Sequence, residues 1–415
     1  MLNWSSQFNI CCLLDNHQYN FSNHQYECIV AAGSLRFVEA QAGQALQQFQ
    51  SFIDHEKDWV FGHLSYDLKN EIESLYSAGA DQILFPDLFF FVPEVIIQLD
   101  KSQLSVGSIH ADHESIFQQI ISCVVETSQP PSSASVQVKN KISKEKYIDT
   151  IKQLQLHIQR GDCYEINFCQ EFFAEDVYIN PLSIYCSLSG TSPNPYSAFY
   201  KLNDKFLLCA SPERYLTKSG RKVLSQPIKG TWQRDENNQA QDEQNKNLLQ
   251  KSTKDRSENV MVVDLVRNDL SKVCIEGSVE VDELFGIYKF PQLYQMISTV
   301  SGQLRSDVTI SDIIKATFPM GSMTGAPKKK VMELIEKYEH TKRGIFSGSV
   351  GYISPTKDFD FNVVIRSIMY NSSTRYLSFQ AGSGITFYSD PKIEYEECLL
   401  KAMAIKKVLA ESLVF

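Results

Sequence analysis

The chain has 415 residues, 43% of them hydrophobic and 21% charged, with a formal net charge of −9. That length buries a large core in one large domain or two smaller ones, and the composition is that of an ordinary globular protein. The acid excess argues against a nucleic-acid partner, which basic chains take, yet a few placed cations still make a local site for a small anion.

In chain order, residues 1–126 predict alternating strands and short helices. These are a helix over 37–52, a strand over 59–66, strand-like runs at 89–92 and 95–97, and a helix over 115–125. The most apolar stretch, 84–99, is broken by Pro86, Asp87, Pro93 and Glu94 and predicts no membrane span. A linker is expected over 127–142, clearest in the Ser-, Pro- and Gln-rich 127–135. A second region, 143–412, opens with a helix over 143–160. Tyr147, Ile151, Leu154 and Ile158 share one of its faces, and Ser143 is placed to cap it. Strands follow at 206–210, 348–352, 361–370 and 377–387, and helices at 243–268, 310–317, 328–337 and 394–412. Strands without a regular βαβ rhythm predict an α+β protein whose two regions pack as one unit. The ten cysteines form no C-x-x-C pair, and Met1–Ile10 lacks a charged-then-apolar leader. Both features predict reduced thiols and a cytoplasmic location.

Lys229 stands in Gln226-Pro227-Ile228-Lys229-Gly230-Thr231, where Pro227 fixes φ and Gly230 permits a tight turn or a close approach. An amine held this way is a nucleophile if its surroundings lower its pKa; alone, the segment reads more simply as a turn with an exposed lysine. Glu394, Glu397 and Lys401 fall at i, i+3 and i+7, and Asp255 and Glu258 repeat the i, i+3 spacing on another predicted helix. If those helices face each other, up to four carboxylates surround one point, a reasonable Mg²⁺ site; otherwise they are solvated faces. Glu213 follows an apolar strand, where burial would raise its pKa and suit it to general-acid work, or where it is simply exposed. Gly382 and Gly384 interrupt a strand-like run, marking either a bulge or a close ligand. Gly321-Ser322-Met323-Thr324-Gly325-Ala326-Pro327-Lys328 has the wrong spacing for a phosphate loop and reads instead as the start of a helix. Lys328-Lys329-Lys330 reads as a solvated helix face, and His110-Ala111-Asp112-His113 as a polar loop rather than a metal site.

Together these segments resemble the chorismate-utilising enzymes, and among them the aminodeoxychorismate (para-aminobenzoate) synthase component I branch. The matching stretches are Gly161-Asp162-Cys163-Tyr164-Glu165-Ile166-Asn167, Ser211-Pro212-Glu213-Arg214, Pro227-Ile228-Lys229-Gly230-Thr231 and Asp255-Arg256-Ser257-Glu258-Asn259. Val263-Asp264-Leu265-Val266-Arg267-Asn268-Asp269-Leu270, the 321–328 turn, 380–385 and Glu394-Tyr395-Glu396-Glu397 continue the match in family order. Gly62-His63-Leu64-Ser65-Tyr66-Asp67-Leu68 extends it to the N-terminal region.

The resemblance implies an α+β fold of two packed β-sheets surrounded by helices, with chorismate as substrate and Mg²⁺ as cofactor. It implies Glu258 and Glu397 as metal ligands with Glu394 and Asp255 close by, and Tyr352 and Arg366 on the enolpyruvyl carboxylate. Gly230, Thr231, Ser322, Gly382 and Gly384 would line the ring site, with Lys401 adding positive charge. It further implies Glu213 as general acid and Lys229 as a nucleophile at C2. Ammonia from a separate glutamine amidotransferase would then give 4-amino-4-deoxychorismate for folate synthesis. Anthranilate synthases usually carry alanine where this chain has Lys229. Water-using relatives carry a lysine base where it has Glu165, and amine-adding members often have glutamine there. Leu13-Leu14-Asp15-Asn16 departs from the Leu-Leu-Glu-Ser of feedback-regulated relatives, which argues against a tryptophan-responsive site. The rival expectations are an anthranilate synthase component I and a catalytically silent chorismate-binding or scaffold subunit.

Overall fold

Aromatic and β-branched runs pair into two large antiparallel sheets. The computed structural model describes residues 1–19, 26–101, 103–109, 112–123, 136–235, 237–291 and 293–411. Among them, one sheet runs Gly325–Ala326, Glu165–Ala174, Tyr376–Ile385, Ser367–Asn371, Lys205–Ser211, Tyr196–Leu202, Ile10–Asp15, Cys28–Ala32, Val95–Asp100, Gln103–Ser108. Lys139–Asn140 pairs onto Glu165–Ala174. The other runs Ile228–Gln233, Leu293–Gln303, Lys222–Gln226, Arg214–Ser219, Phe359–Asn362, Ser349–Ile353, Val60–Leu64, Leu88–Val92, Arg36–Ala40, with Glu280–Lys289 on Leu293–Gln303. Both sheets take strands from before residue 126 and after residue 143, so the two stretches of chain share one framework.

Strand alternation decides what each face meets. In the first sheet Cys12, Tyr200 and Leu207 join Phe61, Phe89 and Phe361 of the second in one buried cluster, so these faces lie together. Their neighbours Cys11, Phe199 and Leu208 point the other way. There they meet Tyr147, Ile151 and Leu154 of the helix Lys144–Gln159, Leu188 of Pro181–Thr191, and Ala402 and Ile405 of Pro391–Glu411. The chain passes from first to second sheet at Ser211-Pro212-Glu213-Arg214 and back again between Asn362 and Ser367. The two crossings touch, the amide of Val363 donating to the carbonyl of Glu213 at 3.0 Å.

Several expected elements stand where the sequence puts them. Ser143 caps Lys144–Gln159, its hydroxyl accepting from the Lys146 amide, and Ile310–Thr317 carries a capping box from Thr309 and Asp312. Others differ. The stretch expected as a helix over 37–52 is a strand, Arg36–Ala40, followed by a helix, Ala45–His55. Phe37 and Val38 are drawn into register with Phe91 and Phe90, and Gly43 separates the two elements. The expected strand 361–370 is two strands in different sheets. The expected helix 243–268 breaks at Ser252, which ends Gln239–Lys251 and caps Thr253–Ser271. Lys328 is not on a solvated face: it donates to Asp269 at 2.5 Å and to the Thr317 carbonyl at 3.1 Å, tying two helices together. The 127–135 part of the expected linker, residues 124 and 125 of the helix expected over 115–125, and His110 and Ala111 of the polar loop lie outside the described residues. All ten cysteines are free thiols, and among the described residues no helix is long and apolar enough to cross a membrane.

Candidate active site

The two crossings bring polar side chains from both sheets to one end of the core. Lys229 comes from Ile228–Gln233 of the second sheet and Glu165 from Glu165–Ala174 of the first. Lys229 Nζ donates to Glu165 Oε1 at 2.5 Å, with Lys229 8% and Glu165 1% exposed. Two glycines bear on this pair, one beside Lys229 in the chain and one against both side chains. Gly230 takes φ +96° beside Asp255, a conformation other residues rarely adopt. A Cβ on Gly384 would stand 2.7 Å from Glu165 Oε1 and 3.0 Å from Lys229 Nζ, so any side chain there displaces the pair.

The electrostatics of Lys229 run opposite to the sequence expectation. Burial pulls its pKa down, but the charges of Glu165 and Glu258, the hydrogen bond to Glu165 and the charge of Glu213 carry it above its ordinary value. The resting side chain is therefore an ammonium. Glu213 behaves as the sequence suggests. It sits at the first crossing, 4% exposed, and burial pushes its carboxyl up to about 7 while Ser322 Oγ donates to its Oε1 at 2.6 Å. Glu213 therefore holds its proton up to near neutrality.

Arg366 lies at the second crossing with φ +51°, an uncommon conformation for a side chain of its size. With the Gln295 amide turned to present its oxygen, both terminal nitrogens of Arg366 donate to it, at 3.0 and 3.2 Å. Burial pulls the guanidinium down to about 10, and the charge of Glu213 opposes that shift. Thr231 lies in register with Gln295. Gly382 offers its carbonyl to Lys401 Nζ at 3.0 Å.

The carboxylates do not gather as expected. The helices Thr253–Ser271 and Pro391–Glu411 approach at their first turns, where Lys254 Nζ lies 3.1 Å from Glu394 Oε1 and 3.9 Å from Glu258 Oε1. Glu397 pairs with Lys401 at 2.8 Å, which holds its carboxyl below the ordinary range. Asp255 packs against Gly230, its pKa raised by burial. Among the described residues no three such side chains converge into a metal cage. The donors nonetheless fit a hard cation held by one or two carboxylates with water and substrate completing its shell. Glu258 Oε1 and Glu394 Oε2 are buried without a hydrogen-bond partner. Burial lifts Glu258 to about 7, a penalty that a nearby cation relieves.

Tyr352 does not join this group. It packs against Tyr26, Trp59 and Phe61, with ring centroids 5.5–6.1 Å away. It lines a different cavity with Leu14, Asp15, Asn16, Tyr196 and Asp360. Lys254 and Gln295 were missed. Lys254 immediately precedes the Asp255 motif, the one signal that pointed to it. Gln295 lies in the strand Leu293–Gln303, which was not anticipated.

With this geometry in view, the chain was compared with known proteins. A family model described as "chorismate binding enzyme" matches residues 9–407. Aminodeoxychorismate synthase component 1 of Bacillus subtilis (strain 168) is 32% identical over 364 residues, 84% of this chain and 76% of that protein. Its namesake from Escherichia coli (strain K12) is 32% identical over 376 residues, 88% of this chain and 82% of that one. The crystal structure of anthranilate synthase component I from Streptococcus pneumoniae TIGR4 aligns with a TM-score of 0.80 at 25% identity. The alignment covers 94% of this chain and 93% of that one.

Proposed function

Because the chain belongs to the family of chorismate binding enzymes, we propose that it converts chorismate and ammonia to 4-amino-4-deoxychorismate, as an aminodeoxychorismate synthase component I. The observation that carries this is a buried lysine, Lys229, near enough to a buried acid, Glu213, with pKa about 7, for their charges to interact. The names borne by its relatives from B. subtilis and E. coli support it.

The reaction exchanges a ring hydroxyl for an amine, and hydroxide is a poor leaving group. Glu213, protonated near neutrality, gives its proton to the departing C4 oxygen. Lys229 attacks C2 as that oxygen leaves, and ammonia then adds at C4 and expels the lysine, so that two easier displacements replace one difficult one. Arg366, its guanidinium oriented by Gln295, is suited to two-point recognition of the enolpyruvyl carboxylate. Thr231, Ser322, Gly382 and Gly384 border the ring. Mg²⁺ bound at Glu258 and Glu397, with Glu394 and Asp255 nearby, would place positive charge on the ring carboxylate and make the ring carbons more electrophilic. Relatives called "component 1" imply a second component, which we take to be a separate glutamine amidotransferase delivering ammonia for para-aminobenzoate and folate synthesis.

The test is a product assay. The chain is incubated with chorismate, Mg²⁺ and ammonium, and the products are identified by mass. Aminodeoxychorismate without pyruvate is expected. Anthranilate with released pyruvate would instead make this an anthranilate synthase component I, and no turnover would favour a silent binding subunit.

A further inference from the structure

We infer that Glu165 is the catalytic base that frees the Lys229 amine and later returns its proton, an inference that rests on the covalent route proposed above. Lys229 can attack only after losing a proton, so the pocket must contain an acceptor. Four carboxylates face Lys229 from the elements around it: Glu165 on its strand, Glu213 at the first crossing, Glu258 on Thr253–Ser271 and Glu397 on Pro391–Glu411. Of these only Glu165 lies within hydrogen-bond distance, at 2.5 Å. Glu213 is engaged by Ser322 and has its own proton to give. Glu397 is paired with Lys401, and Glu258 acts on the amine through its charge alone, without a hydrogen bond to it.

The second oxygen of Glu165 points the same way. Glu165 Oε2 is buried and takes no hydrogen bond. A carboxylate kept for architecture has its lone pairs filled, because a buried unsatisfied oxygen costs stability. A side chain at position 384 would crowd both members of the pair, and the glycine there leaves them room. A carboxylate that is incompletely satisfied, in contact with the reacting nitrogen and shielded from water suits proton transfer better than anchoring.

The steps balance. The Lys229 ammonium gives a proton to Glu165 Oε1, and its freed electron pair forms the Nζ–C2 bond. Both ring double bonds shift toward C4, the C4–O bond breaks, and the oxygen leaves as water with the proton of Glu213. In the second half ammonia bonds to C4, the double bonds shift back and the C2–Nζ bond breaks with its electron pair on Nζ. Glu165 reprotonates that nitrogen, and the Glu213 carboxylate takes a proton from the new amine. Ammonia enters, water leaves, and both acids return to their starting states.

The experiment is Glu165→Gln, which keeps the shape and one acceptor oxygen but cannot hold the proton. Turnover of variant and unaltered enzyme is measured across pH at constant free ammonia, and their ratio is taken so that the titration of Glu213 cancels. At neutral pH the variant is expected to be slower by on the order of 10²–10⁴-fold. Its ratio to the unaltered enzyme should climb about tenfold per pH unit toward the ordinary lysine pKa near 10.4, as solvent takes over the deprotonation. Glu165→Asp keeps the charge, so its ratio should stay flat, and it covers the case in which the glutamine variant fails to fold. A Glu165→Gln enzyme as fast as the original, or slowed equally at every pH, would overturn the assignment, and so would an aspartate variant with a climbing ratio. Failure of the underlying function shows separately, as anthranilate in the product assay of the unaltered chain.

Discussion

Two ion pairs in the core, Arg214–Asp360 and Lys229–Glu165, are opposite in design. Arg214 Nε and Nη2 donate to the two oxygens of Asp360 at 3.0 and 2.8 Å, and Nη1 donates to Gln226 Oε1 at 3.0 Å. The Tyr196 ring lies 5.0 Å from the guanidinium. Lys229 and Glu165 share one hydrogen bond, and an oxygen of Glu165 is left bare. A saturated buried pair fixes geometry, while an unsaturated one stays ready to move a proton or meet a ligand. The first pair also serves the second. Arg214 follows Glu213 directly, and Gln226, which it grips, lies three residues before Lys229. One rigid pair therefore positions both the proposed acid and the proposed nucleophile.

The contrast is sharpest at Glu213. Glu213→Gln should lower turnover by about 10²–10⁴-fold with the fold intact, measured as aminodeoxychorismate formed per enzyme. Its pH behaviour follows from the direction of its shift. Folding raises this carboxyl to about 7 from about 4.3 in the unfolded chain, so the acid form is present below that value and lost as pH rises through it. The rate should fall above neutrality. Because the folded state binds the extra proton, the contribution of Glu213 to stability also declines as pH rises between those two values.

Asp360→Ala should act chiefly on stability, with a smaller loss of turnover from loosened placement of Glu213 and Lys229. Removing one partner of a buried pair costs about 3–5 kcal/mol, read as a lowered denaturant midpoint. If that variant melted normally, the two pairs would not differ in kind. Arg366→Lys removes two-point contact with a carboxylate, a loss of about 1.5–3 kcal/mol that should appear mainly as a raised KM for chorismate. The smallest effect is expected at Lys254, whose half-exposed ammonium stands between Glu394 and Glu258. Lys254→Gln removes a competing positive charge, so titration calorimetry should show Mg²⁺ binding tighter by under about 1 kcal/mol.

Much of the framework was legible because its signals are local. Ser143 announces a helix start, and the helix expected over 310–317 stands at Ile310–Thr317. The missed breaks came from tertiary demands. Phe37 and Val38 fit a helix pattern but complete a sheet edge beside Phe89–Phe91. The stretch 361–370 contains no glycine or proline to mark its crossing, and the turn is made by Arg366 at positive φ. Lys229, Glu213 and Gly384 were readable through motif order, and the structure brings them together. Tyr352 was not, because alternation along Ser349–Ile353 fixes which residues share a face but not which cavity that face meets. The pairing of Lys229 with Glu165 joins residues 64 positions apart on different sheets, beyond any spacing rule.

The most direct measurement withholds ammonia. The enzyme is mixed with chorismate and Mg²⁺ alone, quenched, digested and examined by peptide mass. The peptide containing Lys229 should gain the mass of chorismate less water, and the gain should disappear when ammonia is added before quenching. An unmodified Lys229 in an enzyme that still forms aminodeoxychorismate would contradict nucleophilic catalysis by this lysine.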